Sequence, residues 1–288
     1  MTIKTLHLFT VLAVATLMML TSGCSMSPRT TEKENSNPNP TTSAIHSDIL
    51  SEERSVIIHL PASYGSAVQK RYPVMYVLDG TSQDGPTADA LAALSASGEA
   101  PEAIVVGIPN TRGNRPRDQT PPFMRQDPDV AESKMGGGDQ FLLFVEKELI
   151  PFIDKQYRTS TYRMISGNSR GGLLAFYSLL QKPDLFQARF CYSSPFHRED
   201  NLIVNRTKEY LARNDSVRSF LYMTVGSDET PRMKAGYESM KSLLQQQTYS
   251  LVWFIEYTPS AVHSNNASLS IPGALKKWAN HMSVPARK

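Results

Sequence analysis

Cysteine is almost missing from this 288-residue chain, which has only Cys24 and Cys191. Two cysteines so far apart give no disulfide framework and no paired-thiol zinc spacing. Neither sign of charge prevails: 30 basic residues face 27 acidic ones for a net charge of +3. The basic residues are scattered, which excludes the electrostatic footprint of a nucleic-acid binder and leaves a solvated surface. No internal repeat runs through the chain, so a solenoid is excluded as well. Long apolar runs are scarce too. The one near the N-terminus, Leu8 to Leu20, is too short for a comfortable membrane span.

That run follows Lys4 and ends in small residues, "TSGC", the layout of a secretory signal. The small residues resemble a bacterial lipobox in which Cys24 is lipidated and becomes the new N-terminus. Thr21 departs from the pattern, and ordinary signal cleavage near Ser25 is the alternative. Ser25 after the cysteine would match sorting to the outer membrane. The expected layout is therefore a signal over residues 1–24, a Ser/Thr/Asn/Pro tether over 25–45 with "NSNPNPTTS" at its centre, and a folded domain over 46–288. Membrane association is expected only through the lipid, in the cell envelope, with secretion as the alternative. With Cys24 lipidated, Cys191 has no partner and reads as a small buried hydrophobe.

The remaining length, roughly 240 residues, suits one α/β domain. β-branched and apolar runs, "RSVIIHLP", "VMYVL", "AIVVGIP", "YRMIS", "ARFCYSS", "SFLYMTVG" and "LVWFIEY", alternate with helix-forming stretches. The helices are expected over 88–98, 139–157, 171–181, 233–247 and 271–282. Such alternation predicts a mostly parallel sheet with helices on both faces, started by an antiparallel pair. The long polar stretch from Asn110 to Gly138 is too long for a plain connection and reads as a binding loop.

The chemistry gathers at "SGNSRGG". A serine hydroxyl becomes a useful nucleophile only when a base takes its proton and its geometry is fixed. Ser169 lies between a strand and a helix, with Gly167 and Gly171 two places to either side. A sharp strand-to-helix corner needs small residues there, because neighbouring backbone passes too close for a side chain. A base following the nucleophile and an acid is required by the order Ser, acid, His. His7, His46 and His59 precede Ser169, His197 follows too soon, and His281 lies inside the last helix. His263, in the loop after the last strand, remains. The acid belongs just past "FLYMTVG", where both Asp228 and Glu229 qualify, and Glu229 holds the preferred third place after the glycine. Backbone N–H groups of Arg170 and of Thr81, with Gly80 adjacent, are expected to form an oxyanion hole.

"RYPVMYVLDG", "AIVVGIPNTRGNRPRDQTP", "FLLFVEKELIPFIDKQY" and "GNSRGGLLAFYSLLQKPDLF", taken in order, resemble the esterase family of enterochelin esterases, feruloyl and acetylxylan esterases, S-formylglutathione hydrolases and mycolyltransferases. The resemblance runs from about residue 48 to 280 and is nearest the siderophore-esterase group. It implies an α/β-hydrolase fold without a large cap, a triad on Ser169, His263 and an acid near Glu229, and hydrolysis of a small-molecule ester without metal or other cofactor. Acyl transfer of the mycolyltransferase type and a non-catalytic envelope binding module are the alternatives. Two residues depart from the family: Asn168 stands where histidine is common, and Arg170 where phenylalanine or methionine is. A cation at Arg170 suits either an acidic substrate or a salt bridge to a nearby carboxylate. The "RPRD" segment reads as loop-anchoring ion pairs.

Overall fold

The computed structural model describes residues 38–111, 113–214, 217–246 and 251–283. The expected signal, Cys24 and most of the expected tether lie outside them. Eight strands form one sheet: β1 (Thr41–Ser47), β2 (Glu52–His59), β3 (Tyr72–Gly80), β4 (Ile104–Pro109), β5 (Thr159–Asn168), β6 (Ala188–Tyr192), β7 (Phe220–Gly226) and β8 (Val252–Thr258). Their spatial order is β1-β2-β4-β3-β5-β6-β7-β8. β1 pairs antiparallel with β2 and β2 with β4, and every later pairing is parallel.

β1 corrects one expectation, because the tether was to run to residue 45. Thr41–Ser47 is instead paired along its length with β2, Thr41 opposite Ile58 and Ser47 opposite Glu52. Its polar composition hides an alternation that sends Ile45 and Ser47 inward. The ladder satisfies the backbone, so little apolar surface is needed. The antiparallel start of the sheet is thus β1 with β2, whereas the second strand expected from the sequence, β3, lies among parallel neighbours.

The strands α/β folds bury on both faces show why alternation matters. Along β3, Tyr72, Val74, Tyr76 and Leu78 enter one core while Met75 and Val77 enter the other. The second, smaller core is covered by α1 (Asp84–Ala96) and α8 (Asn266–Ser283), with Trp278 fully buried in it. The larger core is covered by α3 (Gly138–Phe144), α4 (Ile150–Gln156), α5 (Arg170–Gln181), α6 (Arg198–Leu211) and α7 (Pro231–Gln245). The single helix expected over 139–157 is α3 and α4 joined by one wide π turn, Val145–Leu149. α6 was not expected at all. Three of its residues, Glu199, Asp200 and Asn201, are left-handed, so no clean helical start is visible in the sequence.

"RPRD" forms the one-turn helix α2 (Arg115–Asp118) and anchors its loop through ions. Asp118 accepts from buried Arg54 at 2.9 Å, and Arg117 bridges Asp118 and Glu52. Arg54 also stacks on Phe141 and Phe144. On the same side of the sheet Arg189, in β6, is fully buried and has hydroxyl and carbonyl oxygens as hydrogen-bond partners. Cys191, also in β6, is buried and free, and burial pushes its thiol well up.

Candidate active site

β5 is a central strand, and its last residue, Asn168, leads straight into Ser169 and the first turn of α5. Ser169 has φ 57° and ψ −118°, a conformation that side-chain-bearing residues avoid and that must be held from outside. Part of the hold is its N–H, which donates to the Tyr192 carbonyl at the end of β6, 2.8 Å away. Gly167 is required by backbone contact, and at Gly171 a side chain would crowd its neighbours. A Cβ on Gly167 would lie 2.5 Å from the Gly171 carbonyl oxygen, and one on Gly171 would lie 3.1 Å from an Asp79 carboxylate oxygen. Helix and strand therefore meet backbone to backbone, which lifts the serine hydroxyl out of the corner.

The loop after β8 brings His263 over this corner. Its Nε2 is 3.0 Å from Ser169 Oγ and its Nδ1 is 2.8 Å from Glu229 Oε2. The Glu229 Oε1 atom accepts from the Ser193 hydroxyl at 2.6 Å and from the Gly226 N–H at 3.0 Å. Burial would raise the Glu229 carboxyl, but the hydrogen bonds from His263, Ser193 and Gly226 outweigh it and hold the group below the usual range. The carboxylate is thus ionised, oriented and only 6% exposed. Asp228, the other acid suggested by the sequence, is exposed; its carboxylate accepts from Ser227 Oγ at 2.9 Å. The one-residue difference between these neighbours puts Glu229 inside the turn and Asp228 outside it.

Ser193 and Asn266 were not anticipated. Asn266, buried at the start of α8, donates to Ser193 Oγ at 2.9 Å, and Ser193 in turn donates to Glu229. The only sequence signal was "CYSSP", serines placed at the end of a strand that neighbours β5.

For the expected oxyanion donors the picture is divided. Arg170 is the first residue of α5, so its N–H is among the helix-terminal donors that lack an intrahelical partner. Gly80 closes β3 beside Pro109 of β4. Thr81 has φ 82° and directs its N–H to Asp84 Oδ1 at 2.7 Å, so this expected oxyanion donor already has an ionised acceptor. Asp84 is in turn paired with His59 Nε2 at 2.8 Å.

Arg170, the residue after the nucleophile, and Arg198 have no carboxylate among their hydrogen-bond partners. Arg170 donates to the Gln126 carbonyl and to Thr120 Oγ1, so the salt bridge suggested for it is replaced by a grip on the 119–138 loop. Arg198 donates to the Arg125 carbonyl, and its buried Nε has no partner among the described residues. Burial lowers the pKa of both guanidinium groups, and repulsion from neighbouring arginines adds to it. Burial likewise lowers His197, with Arg232 and Arg198 adding to it. Asp127 and Glu199 lie near enough to offset part of this positive charge.

Comparison with known proteins agrees with this architecture. The sequence profile described as "Putative esterase" matches residues 47–252. Ferri-bacillibactin esterase BesA of Bacillus subtilis is 32% identical over 158 residues, which are 49% of this chain and 54% of that protein. The chain thus spans about half the length of that relative. Among solved structures, an IroE-like serine hydrolase from Shewanella oneidensis superposes with a TM-score of 0.76 at 26% identity, covering 85% of this chain and 82% of that one. Siderophore hydrolase EstA from Aspergillus nidulans gives a TM-score of 0.73 at 20% identity, with 85% and 95% covered, a likeness of fold. The match over most of the chain makes this protein a member of that esterase family.

Proposed function

We propose that the protein is a serine carboxylesterase that works through an acyl-enzyme on Ser169. The observation that carries the reading is the unbroken line Ser169 Oγ, His263 Nε2, His263 Nδ1 and Glu229 Oε2, with links of 3.0 and 2.8 Å. His263 takes the hydroxyl proton as Ser169 Oγ bonds to the ester carbonyl carbon. Glu229 holds the Nδ1–H tautomer and stabilises the imidazolium that forms. The tetrahedral oxyanion is received by the Arg170 N–H and by the turn after β3, where the Thr81 N–H exchanges Asp84 for the developing charge. Collapse breaks the bond to the leaving alcohol, which carries away the proton from His263. Water then attacks the acyl carbon as His263 accepts its proton, and the acyl–Oγ bond breaks as His263 returns that proton to Ser169, releasing the acid.

An anionic ester of the siderophore type is the substrate class this reading favours. Arg170, next to Ser169 in the chain, has carbonyl and hydroxyl rather than carboxylate partners, which supports it. The names of the relatives point the same way. Reaction with a fluorophosphonate probe and hydrolysis of short p-nitrophenyl esters test the chemistry, with Ser169→Ala as control. A wild type that neither labels nor outpaces that control would refute it. A panel pairing anionic catecholate esters with neutral esters of equal size tests the substrate class, and equal kcat/KM for the two would reject it. The same reading includes lipid anchoring through Cys24, for which retention of Cys24→Ser in the membrane fraction would be the opposing result.

A further inference from the structure

The Thr81 N–H, expected as an oxyanion donor, is engaged in the resting enzyme. It donates to Asp84 Oδ1 at 2.7 Å, and the other oxygen of that carboxylate lies 2.8 Å from His59 Nε2. Burial would raise the Asp84 carboxyl, but the hydrogen bonds from His59 and from the Thr81 N–H prevail and hold it below the usual range. An ionised carboxylate can only accept, so His59 Nε2 carries the proton. The Asp84 side chain is 5% exposed and packs on β4, where a Cβ on Gly107 would stand 2.8 Å from Oδ2. That contact leaves the carboxylate little room to withdraw on the β4 side. Its neighbour Asp79 differs, because Arg115 pairs with both of its oxygens. The turn abuts the nucleophile's helix: a Cβ on Gly171 would lie 3.1 Å from Asp79 Oδ2 and 3.3 Å from Leu78 Cβ.

We propose that Asp84, held by His59, is a built-in competitor for the oxyanion: a positioning residue that occupies the Thr81 N–H at rest and sets the rate of acylation by how tightly it keeps it. The inference rests on the serine-esterase reading. An N–H has one proton to give. At rest it goes to a full negative charge, and in the tetrahedral intermediate it has to go to the former ester carbonyl oxygen. Part of what this donor contributes is therefore spent on releasing its first partner. The carboxylate also stays near the new oxyanion as a like charge. His59 opposes both effects, because its N–H draws charge towards Oδ2 and away from the oxygen that faces Thr81. Neither His59 nor Asp84 takes part in the proton transfers.

Weakening the competitor should give a faster enzyme, which a purely structural role would not. Asp84→Asn keeps the shape and leaves an amide oxygen facing the Thr81 N–H, while its NH2 faces His59, which accepts in its other tautomer. A neutral acceptor holds an N–H about half as strongly as an ionised one. With the full chain and p-nitrophenyl butyrate, kcat/KM, which reports acylation, should rise about 5- to 10-fold. Affinity for a trifluoromethyl ketone, which forms an anionic adduct on the serine, should rise in step. His59→Leu leaves the Asp84 charge undiluted, so rate and inhibitor affinity should both fall about 3-fold. In the Asp84→Asn background the same substitution should change each by less than about 2-fold, because the charge it governs is gone. An Asp84→Asn enzyme that is folded by thermal unfolding yet no faster than wild type, or faster without tighter inhibitor binding, would overturn the proposal. If Asp84→Asn does not fold, His59→Leu decides: a joint loss of rate and inhibitor affinity with KM unchanged supports the competitor, and an equal or faster enzyme overturns it. Wild type no faster than Ser169→Ala would instead bring down the esterase reading, and this proposal with it.

Discussion

Replacing Glu229 by glutamine changes one atom and should stop the reaction. Glu229 Oε1 accepts two hydrogen bonds, from the Ser193 hydroxyl and the Gly226 N–H. The Gly226 N–H can only donate, so the amide oxygen of a glutamine must occupy that place. Its NH2 group then faces His263 Nδ1, which must become an acceptor. The ring proton moves to Nε2, and Ser169 Oγ meets an N–H in place of the lone pair that was to take its proton. The imidazolium also loses its counter-charge. Together these losses should lower kcat by about 10⁴, or about 5.5 kcal/mol, the size seen when a triad acid becomes its amide. Hydrolysis of p-nitrophenyl butyrate and the rate of fluorophosphonate labelling measure the effect, and Asp228→Asn should stay within about 3-fold of wild type because surface changes away from the site cost little. A Glu229→Gln enzyme within tenfold of wild type, or an inactive Asp228→Asn, would refute the assignment.

Three further outcomes concern the fold around the site. The Glu229, Asp79 and Asp84 carboxyls all titrate below their usual range because hydrogen bonds to the ionised forms overcome burial. On acidification the unfolded chain takes up these protons first, below about pH 4, so their contribution is full above that pH and is lost as pH falls through the folded values. Urea unfolding from pH 6 to pH 3 should show the loss, less steeply in Asp79→Asn. Gly167→Ala forces a methyl into the Gly171 backbone, which has no room to move. Thermal unfolding should show a loss of about 3 kcal/mol or more, or no folded protein. Arg189→Met strips the hydrogen-bond donors from buried Ser178 and Ser219 hydroxyls and from the Phe186 and Lys182 carbonyls. It should cost about 3 kcal/mol in urea titration with kcat of the remaining folded enzyme unchanged.

What was legible in the sequence had a backbone cause. Gly167 and Gly171 mark the corner because main chains collide there, and His263 follows from chain order once the corner is fixed. Glu229 is preferred to Asp228 by counting to the third place past the strand-ending glycine, and the turn buries that residue while leaving Asp228 exposed. β1 was hidden because a strand needs partners more than apolar residues, and Thr41–Ser47 has just Ile45 to advertise a core. The left-handed residues 199–201 likewise obscured the start of α6. Long-range polar pairing leaves no periodicity at all. Asp79 and Arg115 are 36 residues apart, Ser193 and Glu229 also 36, and each pair is joined only by the sheet's strand order. The loop partners of Arg170, the Gln126 carbonyl and the Thr120 hydroxyl, likewise carry no mark in the sequence, because any residue offers a carbonyl.

The strand order also has a consequence in time. A ribosome makes the chain from its N-terminus, so the turn at Asp79, the loop at Arg115, the corner at Ser169 and Glu229 all emerge before His263. β8, which delivers that histidine, is the outermost strand and pairs only with β7 among the described strands. On the proposed mechanism, a chain that has assembled the sheet only as far as β7 holds Ser169 without its base and should be inert towards esters. Reactivity should then arrive only when β8 has paired with β7 and placed the loop that carries His263. Nucleophile labelling of stalled chains of increasing length should show that event as a step between residues 229 and 283.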